Sequence, residues 1–283
     1  MIRRTFLKTA ASAAAGASAA SAKKLRTLGV QLYTVRSILP DKPLETLKAL
    51  DEMGYREAEV VRASMDKIWD SLKQTKLKPV SLHIDTPLFL SKVTELPAAL
   101  DDAAKRGFKY AVCPYIAPQD RGGVPVIEKL AANLNEAGAK CKAAGLTLAY
   151  HNHAFEFEAA GAAGTLLDVL MAKTDPKLVQ LELDVFWAAV AGVDPVKLFE
   201  KYAGRVPLVH VKDMKPGTAK RLDERVPRDA FFEVGKGSLS IASILKAGSK
   251  AGVKHFFVEQ DQTPGNPLDS LRTSADYLKN LDF

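Results

Sequence analysis

Between Leu25 and Phe283 a short, apolar, β-prone run gives way to a stretch of helical periodicity, and the pair recurs eight times. The spacing predicts strands over residues 28–33, 57–61, 78–83, 110–113, 146–150, 178–183, 206–211 and 254–258. Helices are expected over 44–53, 64–74, 96–106, 124–144, 164–173, 195–202, 241–251 and 267–281, with Gly54, Gly107 and Gly145 closing three of them. Strands that alternate with helices run parallel, because a parallel neighbour is reached only by a crossover. Eight such units in about 260 residues fit a single α/β domain, a (β/α)8 TIM barrel over residues 23–283. A doubly wound open sheet has the same rhythm. However, no Gly-x-Gly-x-x-Gly or Walker-type loop follows any strand, so its nucleotide-binding form has no support.

Residues 1–22 stand apart from this rhythm. Arg3-Arg4-Thr5-Phe6-Leu7-Lys8 is followed by Ala, Ser and Gly, ending Ala20-Ser21-Ala22. A basic start, a weakly apolar middle and an Ala-x-Ala end make a cleavable signal peptide. The segment resembles the twin-arginine export signal, departing from it at Ile2. The expectation is export, to the periplasm or beyond, with no stable membrane anchor, since the apolar run is too short to span a bilayer.

The same segment carries three of the seven excess positive charges. The other basic residues are scattered and form no tract interleaved with aromatics, so nucleic acid is not an expected partner. Two cysteines, Cys113 and Cys141, exclude a disulfide framework. No Gly-x-Ser-x-Gly supports a serine hydrolase.

In a barrel of this kind the chemistry sits where the strands end. Strand one ends in Gln31, Tyr33 and Arg36, strand two in Glu57, Glu59 and Arg62, and strand three in His83 and Asp85. Strand four ends in Pro114 and Tyr115, and strand five in His151, Asn152, His153 and Glu156. Strand six ends in Glu182, Asp184 and Trp187, strand seven in His210, Lys212 and Asp213, and strand eight in Glu259, Gln260 and Asp261. Buried charges must be paired, hydrogen-bonded or metal-bound. Carboxylates from strands six and eight with an imidazole from strand seven suit one divalent ion, Mn2+, Mg2+, Co2+ or Zn2+. Plainer roles stand beside these. His83 alone reads as a structural histidine and Lys212 as a solvated loop lysine. Trp187 could be helix packing, and Asp85, Asp213 and Asp261 could be helix caps or supports.

Five stretches carry a resemblance. They are Gly29-Val-Gln-Leu-Tyr-Thr-Val-Arg36, Tyr150-His-Asn-His-Ala-Phe-Glu-Phe157, Leu183-Asp-Val-Phe-Trp187, Val209-His-Val-Lys-Asp213 and Val258-Glu-Gln-Asp261. In barrel order they resemble the sugar phosphate isomerase/epimerase family of the xylose isomerase-like barrels, over roughly the whole chain after residue 22. The resemblance implies a metal held by Glu, Asp, His and Glu from strands five to eight. Asp184, His210 and Glu259 match, whereas strand five has no Glu at the usual place. Glu156 is taken as the fourth ligand, with His151 or His153 as substitutes.

The implied reaction is proton abstraction next to a carbonyl on a sugar or keto-glycoside, giving isomerisation or epimerisation. The catalytic residues are expected to be Glu156, Glu259, His153 and Lys212, and the substrate contacts Arg36, His83, His151 and Trp187. Elimination on a 3-keto-glycoside or inosose-like substrate is the alternative outcome of the same site. A non-catalytic sugar-binding barrel is the alternative of another class. The three-metal cluster of the endonuclease IV branch needs more histidines than the five present.

Overall fold

The computed structural model of the chain describes residues 24–283, so the export signal expected over residues 1–22 lies outside the described residues. Eight parallel strands close into a barrel. They are β1 Gly29–Gln31, β2 Glu57–Val61, β3 Lys78–His83 and β4 Tyr110–Cys113. Next come β5 Thr147–His151, β6 Val179–Asp184, β7 Leu208–Val211 and β8 His255–Val258. Each strand pairs with its neighbours in sequence, and β8 pairs back onto β1 with Gly29 opposite Phe257. The fold is the expected (β/α)8 barrel.

Side chains alternate between two cores. On β5, Leu148 and Tyr150 face the helices, while Ala149 and His151 face the barrel axis. Inside the barrel, Val80, Val112, Ala149, Leu208 and Phe257 form an apolar plug. Two residues further along the same strands the inward positions are His151, His210 and Glu259. The apolar plug thus lies beneath a polar layer, and the strand period of two sets which residues make each.

Several elements depart from the expected pattern. Strand β1 is short because the Gln31 side chain accepts the Tyr33 N–H and turns the chain into a 3-10 helix, Leu32–Val35. Strand β5 extends one residue further than expected, to His151. A six-residue helix, Val185–Val190, starts directly at the end of β6. The connection after β7 is not shapeless. Its ends pair as an antiparallel ribbon, Asp213–Met214 with Phe231–Phe232. The Asp213 carboxylate accepts the N–H groups of Gly235, Gly237 and Leu239, which organises the return to the barrel. Among the described residues, no helix is long and apolar enough to cross a membrane.

Candidate active site

The polar layer is built from residues whose second atom is already committed. His151 Nδ1 lies 2.9 Å from the Pro114 carbonyl oxygen. That oxygen can only accept, so Nδ1 carries the proton and Nε2 keeps its lone pair. Nε2 lies 3.3 Å from Asp184 Oδ2. Asp184 caps the helix that follows it, its Oδ1 accepting the N–H groups of Phe186 and Trp187 at 2.9 and 3.0 Å. That leaves Oδ2 facing the axis. His210 Nε2 is 2.5 Å from Glu59 Oε2, and its Nδ1 is 2.8 Å from Glu259 Oε2 and 3.7 Å from Asp184 Oδ2.

Below these residues lies a second polar group, joined through one carboxylate oxygen each of Glu59 and Glu182. Glu59 Oε2 accepts from Gln31 Nε2 at 2.7 Å, and His83 Nε2 sits 3.1 Å from Glu59 and 2.9 Å from Glu182. Burial opposes each charge here, and the neighbours decide the outcome. Burial would lower His83, yet Glu59 and Glu182 hold it up at about 9. Burial and the nearby Glu59 push Glu182 up to about 7. Burial and the charge of His210 push His151 down to about 4. His153 is driven well below its usual value by burial and then by His151.

Lys212 is 2% exposed, which excludes the solvated loop lysine. Its Nζ lies 3.0 Å from Asp184, 2.8 Å from Glu259 and 2.6 Å from Asp261. Burial would lower this amine, but the three carboxylates hold it well above its ordinary value. Burial likewise opposes charge on Asp184, which Lys212 and the histidines hold well below the carboxylate range.

His151, Asp184, His210 and Glu259 are buried and offer ligand atoms that all lie within 4.8 Å of one another. His210 Nδ1 is buried without a hydrogen-bond partner, although Glu259 is close. Each imidazole is held through its outer nitrogen, by a carbonyl or a carboxylate, while the inner nitrogen faces the same two carboxylates. This is the usual support of a metal-binding histidine. Two imidazole nitrogens and two carboxylate oxygens fit a divalent cation. Glu59, His83, Glu182 and His210 form a second group of similar compactness. The Nε2 atoms of His83 and His210 sit against its carboxylates, and it adjoins the first group through the shared His210.

The structure brings Asp184, His210 and Glu259 together, and His151 takes the fourth place. Glu156 is not in the group. Its carboxylate accepts from the Tyr150 hydroxyl at 2.6 Å and the His153 N–H at 2.8 Å. Tyr150 faces the helices, so Glu156 is drawn to the outer side of β5, where burial pushes its pKa up to about 8.

A cavity of about 580 Å3 opens above the layer, lined among others by His83, His151, His153, Trp187, Lys212 and Glu259. Arg36 does not line it. Its guanidinium donates to the carbonyls of Tyr33 and Asp261 at 2.9 and 2.6 Å and lies over the Tyr33 ring, which does line the cavity. Phe231, from the ribbon, stacks on Phe186 with ring centroids 4.4 Å apart and closes one wall. Neither Phe231 nor Glu224, whose backbone has a φ of 59° and whose carboxylate binds Arg121, is marked by any pattern in the sequence. Both lie in the long connection, which has no periodicity.

The sequence model of the xylose isomerase-like TIM barrel family matches residues 48–281, and the chain belongs to that family. It is 30% identical over 170 residues to an inosose dehydratase of Geobacillus kaustophilus, covering 54% of this chain and 52% of that one. The chain thus spans about half the length of the curated relatives it matches. A sugar phosphate isomerase/epimerase of Parabacteroides distasonis shares the fold with a TM-score of 0.72 and 24% identity, covering 93% of this chain and 96% of that one. The IolI protein with a bound zinc atom shares it with a TM-score of 0.69 and 17% identity, covering 88% and 95%.

Proposed function

We propose that this member of the xylose isomerase-like barrels is a metal-dependent enzyme that moves a proton next to a carbonyl of a sugar or keto-sugar. The observation that carries the reading is the convergence of His151, Asp184, His210 and Glu259 at the floor of a cavity that also presents His153 and Lys212. When bound there, a divalent cation supplies Lewis acidity to a substrate carbonyl. The paired imidazoles favour an ion such as Zn2+ or Co2+ over Mg2+ or Mn2+, which prefer oxygen.

The chain's own groups divide the remaining work. His153 is kept neutral by burial, and its Nδ1 has no partner in the structure. It is the base that takes the proton from carbon. Lys212 is held cationic beside the group and stabilises negative charge developing on the carbonyl oxygen. Trp187 supplies an apolar face for the sugar ring, and cover by Trp187 and Phe231 keeps water out. Delivery of a proton to the opposite face of the same carbon gives an epimer, and delivery to the adjacent carbon gives an isomer. Glu156 holds the backbone of the β5 turn through His153 N–H and takes no part in proton transfer.

Elimination is the second reading, favoured by the likeness to inosose dehydratases. It needs an acid for the departing hydroxyl. His83 lines the same cavity with Nε2 held between Glu59 and Glu182. The test is incubation of the metal-loaded protein in D2O with free sugars and their keto forms. Exchange of a carbon-bound proton is expected, alone or with an epimer, isomer or dehydrated product. Failure of every substrate to exchange would overturn the reading.

The twin-arginine-like start of the chain suggests that this chemistry takes place outside the cytoplasm. Replacing Arg3 and Arg4 together by Lys should hold the protein in the cytoplasm of a host with that route. Unchanged export of that variant counts against it.

A further inference from the structure

Among the described residues, Tyr33 is the one large hydrophobic side chain that stands exposed, at 42%. Scattered exposed aromatics are ordinary on protein surfaces and need no role. Tyr33 differs in where it stands and how it is held. It lines the cavity that His151 and Glu259 also line. Its N–H donates to Gln31 Oε1 at 3.0 Å, and Gln31 is itself fixed by Glu59 in the second polar group. The Arg36 guanidinium lies 4.0 Å from the ring centroid. That guanidinium is tied down by the carbonyls of Tyr33 and Asp261, one on the β1 side of the rim and one on the β8 side. One face of the ring is therefore braced, and the ring remains open to solvent at the mouth of the cavity.

The size of the cavity points the same way. At about 580 Å3 it falls in the range that encloses drug-sized ligands, roughly 300–1,000 Å3. A single sugar ring seated against the polar layer, beside Trp187, would fill only part of that volume. An exposed aromatic in the outer part offers an apolar face to a second ring.

We propose that Tyr33 is a specificity-determining platform for the non-reacting unit of a glycoside. The substrate is then a sugar carrying a second sugar or an aglycone, with Arg36 as the brace of the platform. This rests on the reading of the cavity as a sugar site. Binding energy from the remote unit would help to orient the reacting sugar over the polar layer.

The experiment is calorimetric titration of the metal-loaded protein with a panel of hexoses and their p-nitrophenyl glycosides. The glycoside should bind about threefold to tenfold tighter than its parent sugar, the range of a single stacking contact. Tyr33→Ala should abolish that difference and leave the affinity for the free hexose and the metal content unchanged. Tyr33→Phe should retain it, since the ring and not the hydroxyl makes the contact. A glycoside preference that persists in Tyr33→Ala, or none in the wild type while hexoses bind, overturns the platform alone. Binding of neither hexoses nor glycosides overturns the sugar reading and the platform with it.

Discussion

His151 and Glu156 are close in sequence, yet the backbone sends them to opposite sides of β5. His151 shares the axis-facing parity of Ala149, whereas Glu156 is drawn to Tyr150 on the helix side. Sequence spacing locates Asp184, His210 and Glu259 because each lies on a strand or directly at its end, where the period of two fixes the direction. Glu156 lies past the strand in a turn, and nothing in the spacing says which way a turn residue faces. The placement has a measurable consequence. A carboxyl raised to about 8 is mostly protonated at neutral pH. Its folded pKa lies above the unfolded one, so its contribution to stability is complete in acid and is lost as pH rises through about 8. Glu156→Gln should leave metal content intact and flatten the loss between about pH 4.5 and about pH 8 in urea unfolding curves. Glu156→Ala should cost about 1–3 kcal/mol, because the Tyr150 hydroxyl and His153 N–H lose their acceptor. Loss of metal in Glu156→Gln would return Glu156 to the ligand set.

At the scale of elements, the eight strands and their main helices are legible because each is long enough to show a period. The six-residue helix after β6 and the two-residue arms of the ribbon are too short to show one. They exist through caps and tertiary contacts, namely the Asp184 cap and the packing of Phe231 on Phe186. Closure of the barrel also depends on a close approach that the sequence marks only as a glycine. A Cβ on Gly29 would meet the Phe257 ring at 2.5 Å and the Phe256 carbonyl oxygen at 2.8 Å. Phe257 is part of the apolar plug under the polar layer. Gly29→Ala should therefore destabilise the protein by about 1–3 kcal/mol through overpacking at the β1–β8 seam. Denaturant midpoints read this directly, and an unchanged midpoint would mean that the seam relaxes freely.

For the whole molecule, the arithmetic of alternating strands and helices suffices for the barrel, and the barrel gathers side chains from Glu59 to Glu259 into two adjoining polar groups. Glu59 and His210 lie 151 residues apart in sequence and touch. The architecture thus makes the strand ends the place to look, while the long connections, which close the cavity, leave no periodic trace. Exposed loops vary more freely than the strands they join, and the cavity's outer wall is built from such loops. On the proposed function, choice of substrate would belong to the wall and the kind of chemistry to the floor.

On the proposed function, His151, Asp184, His210 and Glu259 together hold a divalent ion. Elemental analysis of the protein after loading and exhaustive buffer exchange tests it most directly. About one tightly held ion per chain is expected, lost in Asp184→Ala, in His210→Ala and in His151→Ala, and kept in Glu156→Gln. An ion retained in both Asp184→Ala and His210→Ala would contradict it, as would a folded wild-type protein that holds none.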